Sequence, residues 1–202
     1  MIAITKFFSS FPMNIETLEQ RNPWEIICDV KSLIEKAMTE LDDNYTIDGG
    51  IAIHKTAIIE AGVTLKAPAI INENCFIGAH AYFREGVFLD KNVKIGPGCE
   101  IKGTIICSHT AIAHFNYVGN SIIGQHVNFE AGAIAANHYN ERKSKEIRVK
   151  FKGKIINTGV SKFGALVGDG SKIGANAVLS PGTLLEKNTI VKRLELVEQA
   201  KE

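Results

Sequence analysis

The chain has 202 residues, 45% of them hydrophobic and 22% charged, and a formal net charge of +1. That is the size of one large domain with a small appendage, and it holds enough apolar material for a core. So even a charge balance excludes a global pull toward nucleic acid or an anionic membrane. The N-terminal stretch Met1 to Pro12 is mildly apolar, with one lysine and no convincing cleavage site. No run approaches the roughly 18 apolar residues of a membrane span. A cytoplasmic protein is therefore expected. Four cysteines, Cys28, Cys75, Cys99 and Cys107, form no CxxC pair and read as reduced small apolar side chains.

Residues 1–50 are expected to form a helical cap. Asn22-Pro23-Trp24-Glu25 opens a helix well, with an Asn cap, Pro at the first helical position and Glu at the third. Behind it Ile27, Val30, Ile34, Ala37 and Leu41 make an apolar stripe at 3-and-4 spacing, stopped by Asp42, Asp43 and Asn44. Asn14 to Gln20 reads as a further short helix. The unit is expected to cover the first coil of the repeat array that begins near Ile51, because such arrays need caps. It has neither the length nor the glycine-rich loop of a nucleotide-binding domain.

From Ile53 an apolar or small residue returns every sixth position: Ile59, Leu65, Ile71, Ile77, Phe83, Leu89, Ile95, Ile101, Cys107, Ala113. A second, mostly small residue stands four places after each, among them Cys75, Cys99 and Tyr117. A period of six fits neither helix nor hairpin meander, but it fits a chain that turns a corner every six residues. Three sides close one coil, and the coils stack with their aliphatics inward. The predicted fold is mainly β: a left-handed parallel β-helix of hexapeptide repeats over residues 51–195, with Cys75, Cys99 and Cys107 facing inward. After Ala113 the register contracts and resumes at Val118, Ile123, Phe129 and Ala135. This predicts a tightened, functional corner around His114–Gly124.

Residues 141–162 break the period. Ile147 to Lys152 alternates apolar with cationic residues, Gly153 supplies a turn and Lys154 to Ile156 returns, which predicts an inserted β-hairpin. Its basic face is either solvated or a grip on a phosphate-bearing partner such as coenzyme A. The period then returns at Val167, Ile173, Leu179, Leu185 and Val191, and residues 196–202 are expected to be a charged tail.

Flat-sided coils of this kind pack three-fold, so a homotrimer with ligand sites in the clefts between chains is expected. Four of the six histidines lie between residues 109 and 138, among amides and phenols. Arg84 and Lys102 are eighteen residues apart and so should stack on one face.

Three segments in this region carry a resemblance. They are Ala113 to Gly119 (with His114-x-x-Tyr117-x-Gly119), Ile123 to Asn128, and Ala131 to Asn137. They resemble the acetyltransferase domain of the bifunctional N-acetylglucosamine-1-phosphate uridylyltransferase/glucosamine-1-phosphate N-acetyltransferase family. The match covers roughly residues 50–195 and extends to Arg84 and Lys102. The resemblance implies an acetyl-CoA-dependent N-acetyltransferase acting on an amino-sugar phosphate. It makes His114 the base that takes the amine proton, a task for which imidazole, with an unperturbed pKa near ~6.5, is suited. It gives Arg84 and Lys102 the phosphate, Tyr117 and Asn128 the phosphate and sugar, and Asn137 the amine or acetyl group. Lys143 is a further substrate-binding lysine if the insertion comes after it, and Lys162 is the rival if the insertion precedes it. Ala175, Lys162, Lys192 and Arg193 fall to the coenzyme. No metal is implied.

Two departures stand out: His138 where the family has tyrosine, and Ala175 where it has serine. No uridylyltransferase domain precedes the coils, so nucleotidyl transfer is expected to be absent. The hairpin resembles that of archaeal-type sugar-1-phosphate nucleotidylyltransferases. Two other classes share the coil. A γ-carbonic-anhydrase-like metalloenzyme would use His109 and His114 as zinc ligands, but its third position is Glu73. A non-catalytic scaffold subunit is the other.

Overall fold

The structure is a computed structural model that describes residues 1–12 and 20–201. The expected helix over Asn14 to Gln20 lies almost wholly outside the described residues. Among the described residues no helix is long and apolar enough to cross a membrane.

The body is a left-handed parallel β-helix with three walls. The first carries Thr64–Leu65, the start of Tyr82–Leu89, the start of Glu100–Ile106, Tyr117–Gly119, Ile134–Ala135, Val178–Leu179 and Leu196–Val197. The second carries Ile51–His54, Ala69–Ile71, the ends of those two long strands, Ile122–Ile123, Ala165–Val167 and Thr183–Leu185. The third runs from Ile58–Ile59 through Lys94–Ile95, Ala111–Ile112 and Asn128–Phe129 to Ile190–Val191. Strand-to-strand pairing is parallel throughout these walls, so each coil hydrogen-bonds only the coils before and after it.

Inside run Ile71, Ile77, Phe83, Leu89, Ile95 and Ile101, as the period predicts, but then Ile106, Ile112, Val118, Ile123, Phe129 and Ala135. The contraction is thus earlier than expected, and it recurs a coil apart at one corner. Arg84 pairs with Lys102, yet Val87 pairs with Thr104, so that Glu85 and Gly86 stand opposite Gly103 alone. The same corner is short again at Asn120, and Gly103 and Asn120 both have positive φ. The insertion leaves the body at this corner too: the Phe163 N–H donates to Asn137 O at 3.0 Å and the Gly164 N–H to Asn120 O at 2.9 Å. Cys107, displaced by one position, faces outward and is buried against the N-terminal segment, while Cys75 and Cys99 lie inside. Burial pushes the Cys75 thiol up to about 12.

The helices of the N-terminal unit do not close the end of the spiral, although its last residues cover the first coil's edge. Its helix breaks at Asp29 into α1 (Pro23–Cys28) and α2 (Val30–Met38), and α2 packs along the second wall. The reason is an outward column on that wall that is apolar throughout: Ala52, Ile70, Phe88, Ile105, Ile122, Leu166 and Leu184, all buried. Left in water it would form a large exposed apolar patch. Ile2, Ile4, Phe7, Trp24, Ile27 and Ile34 cover it, and Trp24 meets Phe163 edge-on at 6.1 Å. A Cβ on Gly86 would come within 3.2 Å of both Val30 and Lys31, so the helix sits directly on that corner. The first coil is closed instead by Tyr45–Asp48, antiparallel to Ile51–His54.

The hairpin Arg148–Phe151/Lys154–Asn157 forms as expected, turning at Lys152-Gly153 with both φ positive. Val149 is buried beside Phe7, Phe163 and Leu184 in the same cluster, and Lys150 is exposed. The expected tail is not free either. Leu196–Val197 pairs with Val178–Leu179, Glu198 receives Arg142 at 2.9 Å, and the Gln199 side chain bonds both backbone groups of Leu184.

Asp169 ties the N-terminal segment down. Its carboxylate accepts from the Ser9 N–H at 2.7 Å and the Gln125 N–H at 3.0 Å, and its own N–H donates to Phe7 O at 3.0 Å. Asp169→Ala leaves these two donors without their acceptor, so the expected loss is about 1–3 kcal/mol in urea unfolding. Faster limited proteolysis N-terminal to α1 should accompany it, and an unchanged midpoint would contradict the assignment.

Candidate functional site

Parallel stacking puts Arg84, Lys102 and Gly119 in one column on the first wall, at its edge with the second. Adjacent strands are about 4.8 Å apart, so the two cations are forced together unless carboxylates intervene. They do. Arg84 donates to Glu100 at 2.7 Å and to Glu85 at 2.8 Å, and Lys102 stands 3.4 Å from the other Glu85 oxygen. The Lys102 side chain is only 6% exposed, which for an ammonium demands such a partner. Burial lowers its pKa, Glu85 opposes this, and the charges of Lys162 and Arg84 add to the lowering. Burial pushes the Glu85 carboxyl up, but Lys102, Arg84 and Lys162 outweigh it and hold it below the usual range. The cluster therefore contains three cations and two carboxylates, a local excess of positive charge.

Tyr117 lies along the same wall. A Cβ on Gly119 would fall 2.5 Å from its hydroxyl, so the phenol needs glycine there to lie flat. Burial, then the Glu100 charge, raises its pKa. Asn137 lies near enough to the phenol to oppose that rise slightly, and its Nδ2 donates to Asn120 Oδ1 at 2.6 Å. Arg84, Lys102, Tyr117, Asn137 and Lys162 are thus brought together.

His114 is exposed at the opposite edge of this wall, on the corner between the third and first walls. That corner is a column of stacked backbones. The Gly132 N–H donates to His114 O, the Asn176 N–H to Ala131 O, and the Leu194 N–H to Ala175 O. Ala175, Lys192 and Arg193 therefore line the same edge as His114, two and three coils on. Asn116 points the other way: its amide donates to Glu130 O and Ala133 O and is buried within the turn.

Two predicted residues stand apart. Asn128 is exposed on the third wall, between Ala111 and Lys172, and one chain does not bring it to Arg84 and Lys102. Lys143 is exposed in a loop whose neighbour Arg142 is anchored to Glu198 in the last coil. Lys162, next to Phe163 where the insertion rejoins the corner, is the lysine within electrostatic reach of Glu85. Sequence reading missed Glu85, Glu100 and Glu130. The signal available was a carboxylate adjacent to Arg84 and another sixteen residues on. His109 stacks on His126 with centroids 4.9 Å apart, at the corner between the second and third walls. The His109–His114 spacing therefore spans two corners, so within one chain the two rings do not converge on a shared ion, and no group of three such ligands is found among the described residues.

Residues 41–156 match the model of the GMPPB C-terminal domain, and residues 157–192 match that of the hexapeptide repeat of succinyl-transferase. The chain belongs to the GMPPB C-terminal domain family. It is also homologous to the C-terminal region of bifunctional proteins. A bifunctional protein GlmU of Methanococcus maripaludis is 40% identical over 174 residues, covering 84% of the chain and 42% of the relative. A bifunctional sugar-1-phosphate nucleotidylyltransferase/acetyltransferase of Sulfurisphaera tokodaii is 38% identical over 167 residues, covering 79% and 41%. The chain thus spans about two fifths of the length of these relatives. Among solved structures, GDP-perosamine N-acetyl transferase from Caulobacter crescentus aligns at 14% identity and a TM-score of 0.31, covering 69% of this chain and 49% of that one. That superposition is too loose to bear on the site.

The depressed Glu85 carboxyl has a pH signature. A carboxyl whose folded-state pKa is below its unfolded value stabilises the fold above that unfolded value, near ~4.3, and loses this as pH falls through the folded one. Glu85→Gln should therefore cost stability at pH 6–7 and much less by pH 3. Thermal unfolding of both proteins across this range checks it, and a pH-independent gap would contradict it.

Proposed function

We propose that the chain is an acetyl-CoA-dependent N-acetyltransferase whose acceptor is an amino-sugar phosphate of the glucosamine-1-phosphate type. One observation carries the reading: an exposed imidazole borders the wall on which Arg84, Lys102 and Lys162 gather. A phosphate is the ligand that can exchange with the Glu85 carboxylate there, because it offers more charge and more acceptor oxygens to the same donors. Tyr117 and Asn137 would add hydrogen bonds to it and to the sugar.

His114, oriented by its backbone in the corner column, would take the proton of the sugar amine as nitrogen bonds to the thioester carbonyl and the thiolate leaves. A histidine whose ring faces water is available to both substrates, whereas one inside the spiral would not be. Acetyl-CoA, as co-substrate, supplies the thioester. Ala175, Lys192 and Arg193 fit it in kind: an amide N–H for a carbonyl, and two cations for phosphates. Lys143, remote from the cluster, is left without a role in this reading, and Lys162 takes the substrate phosphate.

The second wall is covered by the chain's own N-terminal segment, so the first and third walls are those left to neighbours. In a cyclic trimer they would flank each cleft, and Asn128 would face the Arg84–Lys102 wall of the next chain. The assembly is cytoplasmic on this reading.

His114→Ala is expected to lower acetyl transfer about 10²–10⁴-fold while leaving thermal stability nearly unchanged, since the side chain is exposed. Thiol release from acetyl-CoA with a panel of amino sugars and their phosphates measures both the acceptor and the loss. An unchanged rate in His114→Ala would refute the base. No turnover with any amino sugar would favour a scaffold role.

A further inference from the structure

On the reading that Ala175 and Arg193 serve a coenzyme, one side chain already occupies both. Glu130 accepts from the Ala175 N–H at 2.8 Å, and its two oxygens take Arg193 Nε at 2.8 Å and Arg193 Nη2 at 2.9 Å in a forked pair. These bonds hold its carboxyl below the usual range, Arg193 contributing most. Glu130 directly precedes Ala131, which is stacked on His114, and Ala175 is stacked on Ala131. The carboxylate therefore stands in the coil between the exposed imidazole and the two donors.

A second glutamate separates the ordinary part of this arrangement from the particular part. Glu60 accepts from the Ala79 N–H at 2.7 Å at the same corner, several coils away. Capture of a corner N–H by a carboxylate from the coil before is thus a structural habit of this chain. The arginine fork belongs to Glu130. Arg193 is 73% exposed, so the pair is formed in water and is one that a ligand anion can take over.

We propose that Glu130 is a specificity-determining residue for the co-substrate, a resident carboxylate that competes with it for Arg193 and the Ala175 N–H. A ligand displaces it efficiently only by replacing both interactions: an anionic group for the guanidinium and a carbonyl oxygen for the amide. A phosphorylated pantetheine thioester offers both, and an unphosphorylated one offers the carbonyl alone. Displacing Glu130 costs the phosphorylated ligand more, because that ligand must take Arg193 as well as the Ala175 N–H, so Glu130 lowers coenzyme affinity and blunts the preference for the phosphorylated form. This rests on the acetyltransferase reading above.

The experiment is calorimetric titration of the full chain with coenzyme A and with pantetheine, for the wild type, Glu130→Ala and Glu130→Gln, with acetyl-transfer kinetics alongside. Removal of a surface ion pair and one charged-acceptor hydrogen bond should tighten coenzyme A binding about 3- to 10-fold in Glu130→Ala. Glu130→Gln, which keeps an acceptor for the Ala175 N–H, should gain less. The change should fall on the KM for acetyl-CoA rather than on kcat, and the preference for coenzyme A over pantetheine should widen, because Arg193 is freed for the phosphate that pantetheine lacks. If Glu130 only staples two coils, Glu130→Ala will bind coenzyme A equally or more weakly and unfold at lower temperature, which overturns the proposal. Wild-type binding with no gain in the variant sinks this inference alone. No coenzyme binding by the wild type or either variant sinks the acetyltransferase reading with it.

Discussion

The constraint on which everything else depends is the vertical registry of the coils. Each strand satisfies its backbone groups on the coils before and after it, so residues seventeen or eighteen apart must stack in columns. A column multiplies whatever it carries. Aliphatics stacked inward make the core. Aliphatics stacked outward, from Ala52 to Leu184, make a wall that must be covered. Cations stacked outward, Arg84 on Lys102, make a cluster that needs carboxylates or a ligand anion. The site is therefore a consequence of the core's geometry rather than a decoration placed on it.

The two open walls and the covered one come from the same rule. The N-terminal segment is long enough to lie along the second wall, and its attachment at Asp169, far down the spiral, shows that it tracks that wall rather than closing an end. The hairpin, entering at the corner that Gly103 and Asn120 tighten, lies on the same side and delivers Lys162 back to the cation cluster. The first wall, with its cluster and its flanking imidazole, stays exposed. Electrostatically, Glu85 and Glu100 make the cluster tolerable without a ligand and leave a positive excess beside them.

The period itself was legible in the sequence, and with it the fold, the stacking of Arg84 on Lys102 and the exposure of His114 at a corner. The misplaced contraction has a physical reason. Ile106 and Cys107, like Ile112 and Ala113, are adjacent residues that both suit an interior, so the six-residue count ran on through the wrong member of each pair. The covering role of the N-terminal helices was written in the outward column of the second wall, whose positions recur at coil rather than hexapeptide spacing. The choice between Lys143 and Lys162 was not legible, because spacing through an insertion carries no registry. Nor were the carboxylates that hold Arg84, Lys102 and Arg193, since a charge on a coil face looks the same in sequence whether solvated or paired.

The most direct measurement is a crystal structure with glucosamine-1-phosphate bound. The account predicts the phosphate against Arg84, Lys102 and Lys162, with Glu85 displaced from Lys102 and the amine turned toward a His114 ring. A phosphate seated instead on the basic hairpin, with the Arg84–Glu85–Lys102 cluster intact, would contradict it.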